Sequence, residues 1–295
     1  KGLDALGQIA VVVGEKGPLE KALVGHDILS VYQVATPRPI APGRPGQAAL
    51  GKCAKARQNS AMAGLIISGE RQLTQDELAQ RAASAATAFS DLGIGENDTI
   101  AMMLRNDFAL FEVAAAAALL GAYAVPINWH SVTEEALYML EDCGARVIVM
   151  HADLYPVLAG DLPAGVTALL VPTPPEVTAA YGLAAEACVL PPGTLDWNAW
   201  SSGHEPWSGP LQRLRANIIY TSGTTGRPKG VRRRPATPEN AARITETVAH
   251  GFGFLPGQEI RAAITGPMYH SAPNSYGLRA VQQPGLVVLQ PRFDA

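Results

Sequence analysis

From about residue 62 the chain alternates short apolar runs with amphipathic segments, and that alternation limits the fold more than any single residue does. Thr74 and Glu77 have capping-box spacing, and Leu78, Ala82, Ala85, Phe89 and Leu92 follow at helical intervals up to Gly93. Thr99 to Leu104 then reads as a buried strand. A second helix carries Phe108, Phe111, Ala115 and Leu119 on one face and stops near Gly121. Tyr123 to Ile127 is strand-like, Ser131 with Glu134 is expected to cap a third helix ending at Gly144, and Arg146 to Met150 closes the series as another strand. Strands separated by helices predict an α/β domain with parallel or mixed sheets flanked by helices.

The remainder is less regular. Residues 151–215 are rich in Pro and Gly, and only Ala168 to Val171 reads as a strand. Trp197, Trp200 and Trp207 are expected to pack a small insert there. Residues 1–61 carry eight Lys/Arg against four Asp/Glu, whereas the rest carries fifteen against twenty-two. The first part also holds the turn-rich stretch Thr36 to Gly46, with too little apolar content to fold alone. We read residues 1–61 as a leader or linker and residues 62–295 as an incomplete domain, with Met62 as its natural start. From the absence of an initiator Met and the stop just after the strand-like Leu286 to Leu289, the chain is expected to be a piece of a longer protein.

Composition narrows the function classes. A net charge of −3 with 47% hydrophobic residues describes a globular chain without the basic surface that nucleic acid requires. The cysteines Cys53, Cys143 and Cys188 are too few and too widely spaced for a disulfide framework or a CxxC site. Val113 to Ile127 is the longest apolar run, and Gly121 and Pro126 interrupt it well short of a bilayer's thickness. His26, His130, His151, His204 and His250 have no partner at HxxxH spacing, and no GxSxG elbow occurs. These features predict a cytoplasmic protein without a transmembrane segment, a zinc site or a nucleic-acid partner; oligomeric state leaves no trace in the sequence.

The chemistry concentrates after the strand-like Asn217 to Tyr220. Thr221-Ser222-Gly223-Thr224-Thr225-Gly226-Arg227-Pro228-Lys229-Gly230-Val231 combines hydroxyls, glycines and one lysine. Glycines let backbone N–H groups approach anionic oxygens, hydroxyls donate further bonds, and an ammonium adds a point charge. The segment reads as a polyphosphate cradle. It is not a Walker loop, because Pro228 precedes Lys229 and Gly230 follows it. Lys229 is also the only lysine after residue 61, among fourteen arginines, at the one place where a compact ammonium suits the chemistry.

This loop resembles the ATP-binding signature of the adenylate-forming superfamily, which includes acyl-CoA synthetases, aryl-CoA ligases, luciferases and peptide-synthetase adenylation domains. Arg71 to Leu78, Gly121 to Asn128, Gly266 to Ser271 and Arg292 to Asp294 resemble further landmarks of that superfamily, in its order. Asn128, Glu134-Glu135 and Gly230 to Arg233 are more similar to fatty-acyl and other carboxylate-CoA ligases. The resemblance implies part of an N-terminal adenylation domain, with the C-terminal domain absent. It also implies ATP, Mg2+ and CoA as cofactor and co-substrates and a small-molecule carboxylate as substrate.

By the same resemblance, Thr221, Ser222, Gly223, Thr224, Thr225, Gly226 and Lys229 bind the ATP phosphates and Thr224 contacts the metal. His270 is the catalytic candidate, either hydrogen-bonding the α-phosphate or gating the acyl pocket. Tyr269 and Met268 line that pocket or pack the core, and Arg232 to Arg234 read as a solvated charge run. A chain lacking the later segments is expected to bind triphosphate without completing the reaction. Two alternatives stay open: a non-catalytic ATP-binding protein, and an adenylation domain of a peptide assembly line.

Overall fold

A computed structural model describes residues 64–210, 212–221, 227–255 and 258–293. Residues 1–61, read above as a leader, lie outside the described residues.

The first described elements are a hairpin, β1 (Leu65–Ser68) and β2 (Arg71–Thr74), leading directly into α1 (Gln75–Asp91). The expected capping box is present: the Thr74 hydroxyl accepts from the Glu77 N–H, and the Glu77 carboxylate accepts from the Thr74 N–H at 2.8 Å. Next come β3 (Thr99–Met103), α2 (Phe108–Leu120), β4 (Tyr123–Pro126), α3 (Thr133–Cys143), β5 (Val147–His151) and β6 (Thr167–Val171). Gly121 and Gly144 end their helices in the left-handed region, as expected of C-terminal glycines.

The Ser131 cap does not form. The capping position falls on Val132, whose side chain has no acceptor, while the Ser131 N–H is drawn into a turn on the Asn128 carbonyl at 2.9 Å. Nor does α2 present one apolar face. It is buried on nearly every side, and Ala115 and Leu119, placed on the core face by spacing, are among its less buried residues. A helix apolar all round has no single inward stripe for periodicity to find.

After α4 (Pro175–Tyr181), β7 (Leu195–Asp196) and α5 (Trp197–Ser202), the chain forms β8 (Tyr220–Thr221), β9 (Lys229–Gly230), α6 (Pro238–Gly251), β10 (Ile260–Ile264), α7 (Ser271–Ala280) and β11 (Gly285–Leu289). One sheet is five-stranded and wholly parallel in the order β4-β3-β5-β6-β7. A second, mixed sheet has the order β10-β11-β1-β2, in which only β1 and β2 are antiparallel.

Alternation along the strands divides the core. Ile100, Met102, Val147 and Val149 join α1, α2 and the mixed sheet in one cluster, whereas Ala101, Met103, Ile148 and Met150 join Met139 and Leu140 of α3 in another. Helices therefore cover both faces of the parallel sheet. The chain leaves β3 for β4 through α2 and returns to β5, on the other side of β3, through α3. This places a topological switch at the carboxyl ends of β3 and β5, where open α/β sheets form crevices.

The tryptophans do not pack an insert of their own. Trp197 is fully buried in the larger cluster, 5.6 Å from the Phe89 ring of α1, and Trp200 lies 5.2 Å from the same ring. Among the described residues no helix is long and apolar enough to cross a membrane.

Candidate active site

The strand expected over Asn217–Tyr220 is reduced to Tyr220–Thr221, because the preceding residues touch β4 through one backbone bond, from the Ile218 N–H to the Ala124 carbonyl at 3.0 Å. Two strand residues are enough to close the loop. Thr221 pairs with Lys229 and Tyr220 with Gly230 in an antiparallel ladder. The first and last residues predicted to bind phosphate thus meet at the mouth of one hairpin, both of them exposed. Ser222, Gly223, Thr224, Thr225 and Gly226 lie outside the described residues.

The hairpin is fastened to the parallel sheet from several directions. The Tyr220 hydroxyl donates to Asp142 on α3, and burial, followed by that carboxylate, pushes the phenol pKa upward. Arg232 is exposed but not loose. It donates to the carbonyls of Asn97 (3.1 Å) and Cys143 (3.2 Å), and its guanidinium lies 4.8 Å from the centre of the Tyr123 ring. The Tyr123 hydroxyl in turn donates to the Arg233 carbonyl at 2.9 Å. The expected solvated charge run is therefore in part an anchor, in which one cation meets the carbonyl of the last residue of α3, which also accepts from the Thr99 hydroxyl at 2.9 Å, and the carbonyl of Asn97 just before β3.

His270 immediately precedes α7, at the end of a turn closed by its own N–H on the Pro267 carbonyl at 3.1 Å. Its ring lies 4.3 Å from that of Tyr269, and the accompanying desolvation lowers the imidazole pKa from the ordinary value. His270 is consequently neutral near pH 7, able to offer one N–H and one lone pair. Tyr269 stands edge-on to Trp129 at 5.8 Å, and Trp129 also meets Tyr181 edge-on at 5.4 Å. Tyr269 thus faces an aromatic wall beside His270. Met268, by contrast, belongs to the core at 1% exposure.

Two buried asparagines that spacing did not reveal hold this turn. Asn106, between β3 and α2, donates to the carbonyls of Gly266 (3.0 Å) and Gln290 (3.4 Å) and accepts from the Met268 N–H (3.1 Å). Asn274 on α7 donates to the Met268 carbonyl (2.8 Å) and accepts from the Asn217 side chain (2.9 Å). No sequence signal marked them, because their partners are distant in the chain.

A second polar group occupies the switch point. His151, fully buried, accepts the Arg105 N–H on Nδ1 at 3.2 Å, so Nε2 carries the proton and faces Asp107 at 3.3 Å. Asp107 is also paired with Arg71. Burial alone would raise its pKa, but the His151 bond and the Arg71 charge prevail and hold it down at about 2. Arg105 pairs with Asp153 at 2.7 Å. Sequence spacing left His151 without a partner; the fold supplies one from the residue that precedes α2.

A family model described as AMP-binding enzyme matches residues 52–294. The chain belongs to this family. A long-chain-fatty-acid–CoA ligase of Mycobacterium tuberculosis is 30% identical over 233 residues, covering 74% of this chain and 39% of that protein. A 2-succinylbenzoate–CoA ligase of Geobacillus kaustophilus is 31% identical over 232 residues, covering 78% and 40%. The chain therefore spans about two fifths of the length of these two relatives. Among solved structures, the o-succinylbenzoate CoA synthetase of Bacillus subtilis in complex with its acyl-adenylate intermediate shares the fold with a TM-score of 0.56 at 24% identity, covering 78% of this chain and 52% of that one.

The donor set at the hairpin mouth fits a polyphosphate. Thr221 supplies a hydroxyl and Lys229 an ammonium, and none of the ion pairs among the described residues involves Lys229.

Proposed function

We propose that the intact protein activates a small carboxylic acid with ATP, forming an acyl-adenylate and pyrophosphate, and then transfers the acyl group to CoA. The pairing of Thr221 with Lys229 carries this reading, because it puts a hydroxyl and an ammonium at the two ends of a glycine- and hydroxyl-rich loop. The carboxylate oxygen attacks the α-phosphorus in line as the bond to pyrophosphate breaks, so the protein's task is to position the reactants and neutralise charge.

Thr221, Ser222, Gly223, Thr224, Thr225 and Gly226 cradle the β- and γ-phosphates, and Lys229 offsets their charge. Bound Mg2+, with Thr224 as its protein contact, would supply further neutralisation of the phosphate oxygens. His270, neutral at working pH, donates its N–H toward the α-phosphate, and Tyr269 with Trp129 forms a wall beside the acyl group. A fatty or other acyl acid suits that apolar wall and accords with the ligase relatives.

In this reading residues 62–295 are part of an N-terminal adenylation domain, residues 1–61 are a leader or linker, and the enzyme works in the cytoplasm. Residues 1–295 alone are expected to bind triphosphate without completing thioester formation. The test is to trap acyl-adenylate with hydroxylamine across a panel of carboxylic acids, then add CoA. Acid-dependent hydroxamate followed by acyl-CoA supports the reading; ATP binding with neither product, for every acid, would point to a non-catalytic binder.

A further inference from the structure

Both backbone polar groups of Met268 are taken by asparagine side chains. Its N–H donates to Asn106 Oδ1 at 3.1 Å and its carbonyl accepts from Asn274 Nδ2 at 2.8 Å. Both asparagines are only 3% exposed. The orientation of each amide is fixed by its partners. Asn106 faces two carbonyls with its nitrogen, so its oxygen must meet the Met268 N–H; Asn274 commits its nitrogen to the Met268 carbonyl, so its oxygen can only accept.

Asn217 completes the chain by donating to that oxygen at 2.9 Å. Asn217 lies three residues before β8, on the segment entering the phosphate loop, and Met268 lies two residues before His270. A continuous run of directional bonds therefore links the phosphate-loop entry, the histidine turn and, through Asn106, the carboxyl ends of β3 and β11. Apolar packing at Met268 could stabilise the core without fixing the turn in this way. Buried amides tolerate only one arrangement, because any slip strands a donor or acceptor.

We propose that Asn106 and Asn274 are positioning residues for adenylate formation, setting the place of His270 relative to the phosphate loop, with Asn217 as the link between the two. This rests on the reading that His270 acts in the site. The residues need not touch substrate. A displacement of about 1 Å in a reacting group costs up to about 10²-fold in rate, and the loss should fall on kcat while the KM for ATP, set mainly by the loop, changes little.

The test is a double-mutant cycle in the intact protein, measuring pyrophosphate release with the best acid for wild type, His270→Ala, Asn106→Ala and the double variant. The expected result is a kcat loss of about 10-fold to 10²-fold in each single variant, with the double no worse than His270→Ala alone. Independent, multiplicative losses would overturn positioning while leaving the role of His270 intact. An unimpaired His270→Ala would instead sink the site reading on which the proposal rests. Should Asn106→Ala not fold, the half-buried Asn217→Ala, which removes a single donor from Asn274, takes its place in the same cycle with the same two outcomes.

Discussion

Thr221 and Lys229 are partners across the β8–β9 ladder, so the backbone enters and leaves the segment proposed to bind phosphate at one point. Close packing behind that point depends on Gly230. A Cβ there would come within 2.8 Å of Ile218 Cγ2 and of the Tyr220 ring. Gly230→Ala should push the hairpin off its support at a cost of about 1–3 kcal/mol, read as a roughly tenfold or greater loss of ATP affinity by calorimetry. Unchanged affinity would show that the ladder does not shape the loop.

Gly121 illustrates a different requirement. It ends α2 at φ 67°, and an added Cβ would also lie 2.8 Å from Gln212 Cβ. Gly121→Ala is expected to destabilise the fold by at least about 1–2 kcal/mol in urea unfolding, more than alanine usually costs at an exposed loop site. A neutral result would contradict the left-handed geometry.

Trp197 donates its indole N–H to Glu112 at 2.8 Å inside the core. Burial raises the Glu112 pKa against the lowering effect of that bond and of Arg81. Trp197→Phe keeps most of the ring but leaves one oxygen of a buried carboxyl without its donor, so a loss of about 1–3 kcal/mol is expected. Equal stability of the two proteins in denaturant would mean that the bond is not maintained.

Asp107 should govern part of the acid limb of stability. Its pKa is depressed from 3.8 to about 2, so the folded state binds this proton less readily than the unfolded chain. The contribution, on the order of 2 kcal/mol, is fully present above about pH 4 and is lost as pH falls toward 2. Asp107→Asn should lower stability at pH 7 and flatten the profile between pH 4 and 2. An unchanged slope there would contradict the Arg71–Asp107–His151 arrangement.

Those four sites differ in how far the sequence exposes them. The Thr74 box, the terminal glycines of α2 and α3 and the runs that became β3, β5 and β11 are local signals, and each appears where spacing puts it. The segment proposed to bind phosphate is a local signal of the same kind, its hydroxyls, glycines and lysine being concentrated in eleven consecutive residues. Partnerships made by the fold were not legible. Asn106 meets Met268 across 162 positions and His151 meets Asp107 across 44, so nothing in either neighbourhood advertises the bond. Trp197 looked like insert packing because its partner, Glu112, sits in a helix whose apolar neighbours conceal one polar contact. Ser131 misled in the opposite direction, since a local turn claimed it before the helix began.

The most direct test of the account is ATP–pyrophosphate exchange by the intact protein, with and without a carboxylic acid, comparing wild type with Lys229→Ala. Exchange should require the acid and fall by at least about 10²-fold in the variant, as expected when a cation that meets developing charge is removed. Exchange that is acid-dependent but equal in the two proteins would contradict the role given to Lys229 at the mouth of the cradle. No exchange with any acid, from folded protein that binds ATP, would contradict carboxylate activation itself.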